Sequence, residues 1–281
     1  MAQDTHVGST IEPQPSTGGL SAERDPPDRR IGSARRRQLP GFIIIGAQRG
    51  GTTSLYNYLI DHPQVGAATR KEVHFFDRYF EKGIDWYRAH FPRRGEFVIV
   101  GEASPYYLFH PEAPQRILAA MPRAKCIALL RNPIDRAYSH FHFEVARGRE
   151  PLPFAEATER EPERLRTSDD LMGPAWRHHS YLARGAYADQ IRRWLTVFPP
   201  EQLLILQSEE FYRDPQRILH LTQDFLGVDR HEPRQFTIYH DANYPMMDPE
   251  VRRRLRDHFA PLNRELYDLL GRDFGWEQAS S

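Results

Sequence analysis

A glycine-rich turn containing one arginine lies between two contrasting segments near the start of the sequence. Phe42 to Ile45 are consecutive apolar residues, which predicts a buried parallel strand. The turn Gly46-Ala47-Gln48-Arg49-Gly50-Gly51 follows, and the next segment has its apolar residues at helical spacing. Glycines let the backbone approach a ligand closely, and the free N–H groups of a helix N-terminus attract anions. The pattern predicts a phosphate-binding turn with Gly50, Gly51, Thr52, Thr53 and Ser54 as candidate ligands.

This turn departs from the Walker pattern GxxxxGK[ST] at one position. Counted from Gly46, Gly51 and Thr53 match the pattern, but Thr52 stands where the lysine is expected. The basic residue is Arg49, inside the turn. A triphosphate site would therefore lack the lysine that neutralises the β- and γ-phosphates beside magnesium. The turn fits a different anion carried on a nucleotide, or it is an ordinary tight turn between strand and helix.

A second candidate segment, Lys71 to Asp77, places ionisable residues among aromatic ones. A carboxylate in partly apolar surroundings has a raised proton affinity, so Glu72 could serve as a general base. The alternative for Glu72 is a structural salt bridge. His74 is a second candidate base, and its alternative is a neutral position in the core.

A third candidate is Arg131, which directly follows the apolar run Cys126 to Leu130. Asn132 can cap a helix that begins at Pro133. In open α/β sheets the carboxyl edge carries the ligand, and an arginine there can bind a phosphate with two hydrogen bonds. A surface ion pair with Asp135 is the alternative.

These residues require a scaffold of alternating strands and helices. Apolar runs predict strands at Phe42 to Ile45, Phe97 to Val100, Cys126 to Leu130 and Leu203 to Leu206. Helices are predicted at Glu112 to Met121, Ala186 to Val197, Asp214 to Leu226, Asp248 to Phe259 and from Pro261 to near Gly271. The alternation predicts an α/β fold, a doubly wound parallel sheet with a P-loop-like turn and helices on both faces. The charged segment Arg147 to Met172 is expected to be an excursion or lid on the substrate side.

Composition separates a tail from this domain. Residues 1–40 are rich in proline, serine, glycine and charge, which predicts a disordered tail before a domain at 41–281. The tail is locally basic through Arg29, Arg30, Arg35, Arg36 and Arg37. A solvated flank is the favoured explanation, and contact with an anionic polymer or a membrane is the alternative.

Charge, apolar runs and cysteine content limit the function classes. Lysine plus arginine and aspartate plus glutamate both total 38, so no net charge attracts nucleic acid or a membrane, and local basic clusters must be considered separately. No apolar run has the length of a membrane span or of a signal-peptide core, and a cytoplasmic location is expected. Cys126, the single cysteine, is interpreted as a small buried hydrophobic residue. No residue stands at metal-ligand spacing to His178 and His179, so no metal is expected.

Taken together, the motifs from Gly41 to Trp276 resemble the sulfotransferase superfamily, and most closely its heparan sulfate sulfotransferase branch. The glycine turn is similar to that family's 5′-phosphosulfate loop, in which a basic residue stands at the place of Arg49. The block Glu72 to Asp77 resembles the one that holds the family's proposed catalytic base. Leu130 to Pro133 with Ser139 resembles its 3′-phosphate motif, and Tyr187 with Trp194 also fits.

The resemblance implies that 3′-phosphoadenosine 5′-phosphosulfate is the sulfuryl donor, bound without a metal. Its 5′ end would lie on the glycine turn and its 3′-phosphate at Arg131 and Ser139, with Tyr187 counted among the nucleotide-binding residues. Glu72 would take the acceptor proton, and Arg49 would stabilise the leaving phosphate. The implied acceptor is a hydroxyl or amino group, with a carbohydrate or glycolipid expected. A P-loop ATP-dependent kinase and a nucleotide-binding module without chemistry are the alternatives.

Overall fold

The computed structural model describes residues 25–168, 170–233, 235–237 and 244–278. Within these ranges five strands form one parallel sheet in the order β2-β3-β1-β4-β5. The strands are β1 Phe42–Gly46, β2 Val65–Ala67, β3 Ile99–Ala103, β4 Lys125–Leu130 and β5 Leu203–Gln207. The predicted fold class is therefore confirmed.

Helices cover both faces of this sheet. They are α1 Asp28–Ile31, α2 Thr52–Ile60, α3 Gly83–Arg88, α4 Ala113–Ala120, α5 Pro133–Val145, α6 Phe154–Arg166, α7 Pro174–His178, α8 Tyr187–Leu195, α9 Ser208–Arg213, α10 Pro215–Leu226 and α11 Pro249–Leu270. Side chains alternate along a strand, so Ile43 packs in the core on the side of α4 and α8, whereas Ile44 packs on the side of α2 and α10. Among the described residues, no helix is both long enough and apolar enough to cross a bilayer.

The strand predicted at Phe97 to Val100 is displaced toward its carboxyl end, to Ile99–Ala103. Apolar character does not show which residues pair with β1, because Val98 is 63% exposed whereas Gly101 and Glu102 are buried. Gly101 fits there because a Cβ atom would lie 2.0 Å from the ring of Phe42. The sequence analysis also missed β2, whose three residues are too few to give a periodic pattern.

A prediction about the helices also differs from the structure. The helices predicted on either side of Pro261 are one continuous helix, α11, because Phe259 and Leu266 both pack in the core and hold its two halves in line. The segment Arg147 to Met172 contains the helix α6, which buries Phe154 and Leu165 beneath a charged outer surface.

Residues 25–40 depart from the prediction of a disordered tail. Ala34 is buried, and Ile31 and Leu39 pack against the main core. Arg37 donates a hydrogen bond from Nη1 to the backbone oxygen of Phe91 at 2.7 Å. Composition did not predict this packing, because the few apolar residues that pack stand among many polar ones. Residues 1–24 of the predicted tail lie outside the described residues.

Candidate functional site

The glycine turn joins β1 to α2 in a conformation that only small residues permit. Gly51 has a φ of 96° and directly precedes α2. A Cβ atom at Gly50 would lie 2.4 Å from the backbone oxygen of Leu129, so the turn can lie this close to β4 only with glycine there. No side chain caps the N-terminus of α2. Its first N–H groups are therefore available to an anion.

Arg49 and the segment after β4 meet beside this turn. The Arg49 side chain donates hydrogen bonds from Nε to Ser139 Oγ and from Nη2 to the Tyr244 hydroxyl, both at 3.0 Å. Arg131 donates from Nη1 to the backbone oxygen of Arg49 at 3.2 Å. The Tyr187 hydroxyl donates to the backbone oxygen of Arg131 at 2.9 Å. The two predicted phosphate motifs thus lie side by side.

A cavity of about 260 Å³ opens between these motifs. Its lining includes the predicted residues Arg49, Gly51, Thr52, Thr53, Glu72, Arg131 and Ser139. Three other predicted nucleotide-binding residues do not line it. Gly50 faces Leu129 of β4, Ser54 is buried in α2, and the Tyr187 hydroxyl bonds to the backbone oxygen of Arg131. These three residues therefore support the turn, α2 and Arg131 and do not line the cavity.

Glu72 enters the cavity from the segment that follows β2. Its backbone N–H bonds to the carbonyl oxygen of Ala103, at the carboxyl end of β3. Its side chain is 41% exposed and lies 2.8 Å from Lys71 Nζ and 3.4 Å from His74 Nε2. His74 in turn has its Nδ1 2.8 Å from Asp77 Oδ2. Lys71 also lines the cavity, so a lysine reaches the site although the turn itself has none.

These contacts set the charges of Glu72 and His74. Burial favours the neutral form of both, but the hydrogen bonds and charges between neighbours outweigh it. His74 and Lys71 hold the pKa of Glu72 well below its usual range. Asp77 and Glu72 raise the pKa of His74 to about 10. Near neutral pH the carboxylate is therefore ionised and able to accept a proton, whereas the imidazolium is not. The raised proton affinity expected for Glu72 is wrong, because its cationic neighbours outweigh burial.

Three non-glycine residues among those described have positive φ, and all three belong to this site. The φ angles are 69° at Arg49, 62° at Glu72 and 55° at His74. Such conformations cost roughly 1–3 kcal/mol each and persist only where surrounding contacts impose them. Their concentration here is independent evidence that this is a functional site.

A fully buried carboxylate, Glu102, supports the strained segment. It accepts hydrogen bonds from the hydroxyls of Tyr87 at 2.6 Å, Ser104 at 2.9 Å and Tyr107 at 3.2 Å. Because the Ser104 and Tyr107 protons point to Glu102, the lone pairs of their oxygens accept backbone N–H groups, Ser104 from His74 at 3.2 Å and Tyr107 from Phe75 at 2.8 Å. Glu102 therefore fixes the backbone that carries Glu72 and His74.

A larger cavity of about 440 Å³ adjoins the first and shares Gln48, Lys71, Glu72, Pro105, Phe143 and Arg147 with it. Its lining is strongly basic, with Arg70, Lys71, Arg78, Arg147, Arg149, Arg177 and Arg184 against the acidic Glu72 and Glu144. Arg149 lies 3.3 Å from the Glu144 carboxylate, so part of the charge is neutralised. Arg184 is buried and hydrogen-bonds to Gln48. No motif predicted these arginines, since they come from several separate segments.

No group of histidine, cysteine and acidic residues able to hold a metal occurs within the part of the chain that the structure describes.

The fold and site define an α/β protein with a P-loop-like anion-binding turn at the carboxyl edge of its sheet. The sulfotransferase domain family matches residues 39–256, and the chain belongs to that family. It is 35% identical to heparan sulfate glucosamine 3-O-sulfotransferase 3A1 of Mus musculus over 86% of this chain and 65% of the relative. It is 32% identical to heparan sulfate glucosamine 3-O-sulfotransferase 6 of Homo sapiens over 86% of this chain and 75% of the relative.

A solved structure supports the same conclusion. The crystal structure of a sulfotransferase from Alicyclobacillus acidocaldarius has a TM-score of 0.75 and 35% sequence identity to this chain. It covers 85% of this chain, and the match includes 99% of the bacterial protein. The likeness therefore includes nearly all of the bacterial protein, whereas this chain spans about 65% of the length of the mouse relative.

Proposed function

We propose that this protein transfers a sulfuryl group from 3′-phosphoadenosine 5′-phosphosulfate to a hydroxyl or amino group of a carbohydrate or glycolipid acceptor. The observation that carries the proposal is the convergence of Arg49, Arg131 and Ser139 on one cavity together with Glu72. Two anion-binding motifs suit a nucleotide with phosphates on both sides of its ribose. A carboxylate at the same cavity suits removal of a proton from the acceptor.

The donor fits the residues present. The uncapped N–H groups at the start of α2 and the Arg49 guanidinium would hold the 5′-phosphosulfate. Arg131 and Ser139 would hold the 3′-phosphate by charge-assisted hydrogen bonds. Thr52, at the Walker lysine position, is buried and carries no charge, which favours this donor over a triphosphate with magnesium. We accordingly propose that no metal takes part.

In the proposed step, the acceptor oxygen or nitrogen attacks sulfur while its proton passes to Glu72. The bond between sulfur and the 5′-phosphate oxygen breaks, and the electron pair leaves with that oxygen. Arg49 and the α2 N-terminus stabilise the resulting negative charge, and positioned donors of this kind are typically worth on the order of 10²-fold or more in rate. His74, held as an imidazolium by Asp77, orients Glu72.

The larger cavity is the proposed acceptor site. Glu72 lines it, and its arginines favour an acceptor that carries negative charge. The two relatives described above are named for heparan sulfate glucosamine, an acceptor of that kind, which supports a carbohydrate here. A cytoplasmic location remains part of the proposal.

Two measurements test the proposed function. A labelled-sulfate transfer screen across sugars, glycolipids, phenols and sterols should give product with a sugar or a glycolipid. In thermal unfolding, adenosine 3′,5′-bisphosphate should protect the protein, and ATP with magnesium should not. Equal protection by both ligands would favour an ATP-dependent kinase. Protection by the bisphosphate with no transfer to any acceptor would favour a nucleotide-binding module without chemistry.

A further inference from the structure

The locally basic N-terminal segment forms one continuous surface with arginines of the domain. We call this surface the basic face, and it consists of Arg29, Arg30, Arg35, Arg36, Arg37, Arg88, Arg93 and Arg94. The segments are joined by backbone contacts, since Arg37 and Arg93 form an antiparallel bridge. The Arg94 backbone N–H also donates to the carbonyl oxygen of Arg36 at 3.0 Å. Folding therefore brings together two runs of arginine that are far apart in the sequence, since Arg37 bonds to the backbone oxygen of Phe91, 54 residues further along the chain.

These arginines are packed together with few ion pairs, and Glu96 is the acidic residue whose charge acts on Arg30. Arg30 and Arg37 both donate to the backbone oxygen of Phe91, at 3.4 and 2.7 Å. Within the described residues, Arg88 is the one member of the basic face with an ion pair, to Asp85 at 3.8 Å. Burial, and then the nearby charges of Arg94 and Arg35, lower the pKa of Arg88. This like-charge repulsion opposes folding and is relieved when an anion binds.

The basic face lies away from the candidate catalytic site. Arg37 precedes β1, and Arg93 and Arg94 precede β3, so this part of the face is at the amino edge of the sheet. The cavities lie at the carboxyl edge, where Arg49 and Arg131 follow β1 and β4. The five arginines from 29 to 37 also precede residue 39, where the family match begins. The face thus combines arginines that precede the family match with Arg88, Arg93 and Arg94 inside it.

We propose that the basic face binds the protein to an anionic membrane surface. The arginines are spread over α1, α3 and the turns beside them, which suits a broad charged surface. Val98, four residues after Arg94, is 63% exposed, and an apolar side chain beside cations fits the boundary between headgroups and acyl chains. The whole chain has no net charge, so the attraction must arise locally. This inference does not depend on the proposed reaction.

The test is sedimentation with vesicles, using the full chain. Vesicles of phosphatidylglycerol and phosphatidylcholine should bind it, and pure phosphatidylcholine vesicles should not. Glutamine is then placed at the exposed residues Arg35, Arg36, Arg93 and Arg94. Each arginine near an anionic surface contributes roughly fivefold to binding, so this fourfold variant should bind about 600-fold more weakly. The matched control places glutamine at the exposed residues Arg123, Arg213, Arg256 and Arg264, with the same change in net charge.

The control variant should bind like the unmodified protein, and both variants should keep its unfolding temperature within a few degrees. Absence of binding to the phosphatidylglycerol vesicles would overturn the proposal, and so would an equal loss in both variants. A basic-face variant that still binds vesicles but loses affinity for a long sulfated oligosaccharide would assign the face to an anionic polymer instead. None of these outcomes depends on sulfuryl transfer, so the proposed function is tested separately.

Discussion

Arg131 donates a hydrogen bond to the backbone oxygen of Arg49, and this contact joins the two predicted phosphate motifs across a separation of 82 residues. The distance is 3.2 Å, and the Arg49 side chain completes the connection by bonding to Ser139. Parallel strands β1 and β4 are neighbours in the sheet, so the segments following them emerge at the same edge. A ligand with two anionic groups can therefore contact both motifs at once.

Replacement of Glu72 by glutamine should abolish turnover and preserve donor binding. Glutamine keeps the shape but cannot accept the acceptor proton, and loss of a general base typically costs about 10²–10⁴-fold in rate. Labelled-sulfate transfer and calorimetric binding of adenosine 3′,5′-bisphosphate measure the two effects. Glu201→Gln, at an exposed position, is the control and should change neither. Unchanged turnover in Glu72→Gln would remove Glu72 as the base and return His74 to that role.

Replacement of Arg131 by glutamine should weaken nucleotide binding. A charge-assisted hydrogen bond contributes about 1.5–3 kcal/mol, so the dissociation constant of the bisphosphate should rise about 10- to 150-fold. Adenosine 5′-monophosphate, which lacks the 3′-phosphate, serves as the matched ligand, and its affinity should fall much less in this variant. If both ligands lose affinity equally, Arg131 supports the turn and does not contact the 3′-phosphate. Arg123→Gln is the matched exposed control.

The charge of His74 predicts a specific pH dependence of stability. Its pKa is raised to about 10 from an ordinary value of 6.5, so the folded state binds the proton more tightly than the unfolded state. The resulting stabilisation is complete below pH 6.5 and is lost as the pH rises through about 10. Asp77→Asn should lower the His74 pKa and move this loss to lower pH. Proton NMR of the imidazole measures the His74 pKa, and denaturant unfolding between pH 6 and 10 measures the stability. A His74 pKa near 6.5 in the unmodified protein would contradict the prediction.

Replacement of Glu102 by glutamine should impair both stability and turnover. The amide brings donors to a position that faces three hydroxyl donors, and an unsatisfied buried group costs about 1–3 kcal/mol. The segment carrying Glu72 then loses its support, so kcat should fall while bisphosphate binding changes little. Glu150→Gln is the control, because Glu150 is equally buried but bonds to Arg164 and Tyr181. A loss of stability in both variants with kcat unchanged in Glu102→Gln would make Glu102 purely structural.

Local pattern alone predicted the elements that carry the turn. Strand β1, the glycine turn and α2 are adjacent in sequence, and their periodicity and glycine positions define them without distant contacts. The start of α5 is equally local, since Asn132 accepts a hydrogen bond from the Ile134 backbone N–H at 3.0 Å. The helix break predicted at Pro261 failed because packing of α11 on the core outweighs the cost of one proline.

The sequence by itself determined the fold class, the phosphate-binding turn and the identity of Glu72 and Arg131 as candidates, because each depends on residues close together in the chain. Only the tertiary structure decided how these groups are charged and which others join them. His74 is an imidazolium because Asp77 and Glu72 lie on either side of it, and Glu102 supports that segment through the hydroxyls of Ser104 and Tyr107. The basic lining of the larger cavity and the basic face likewise form where segments distant in sequence come into contact. A local sequence pattern does not predict such contacts.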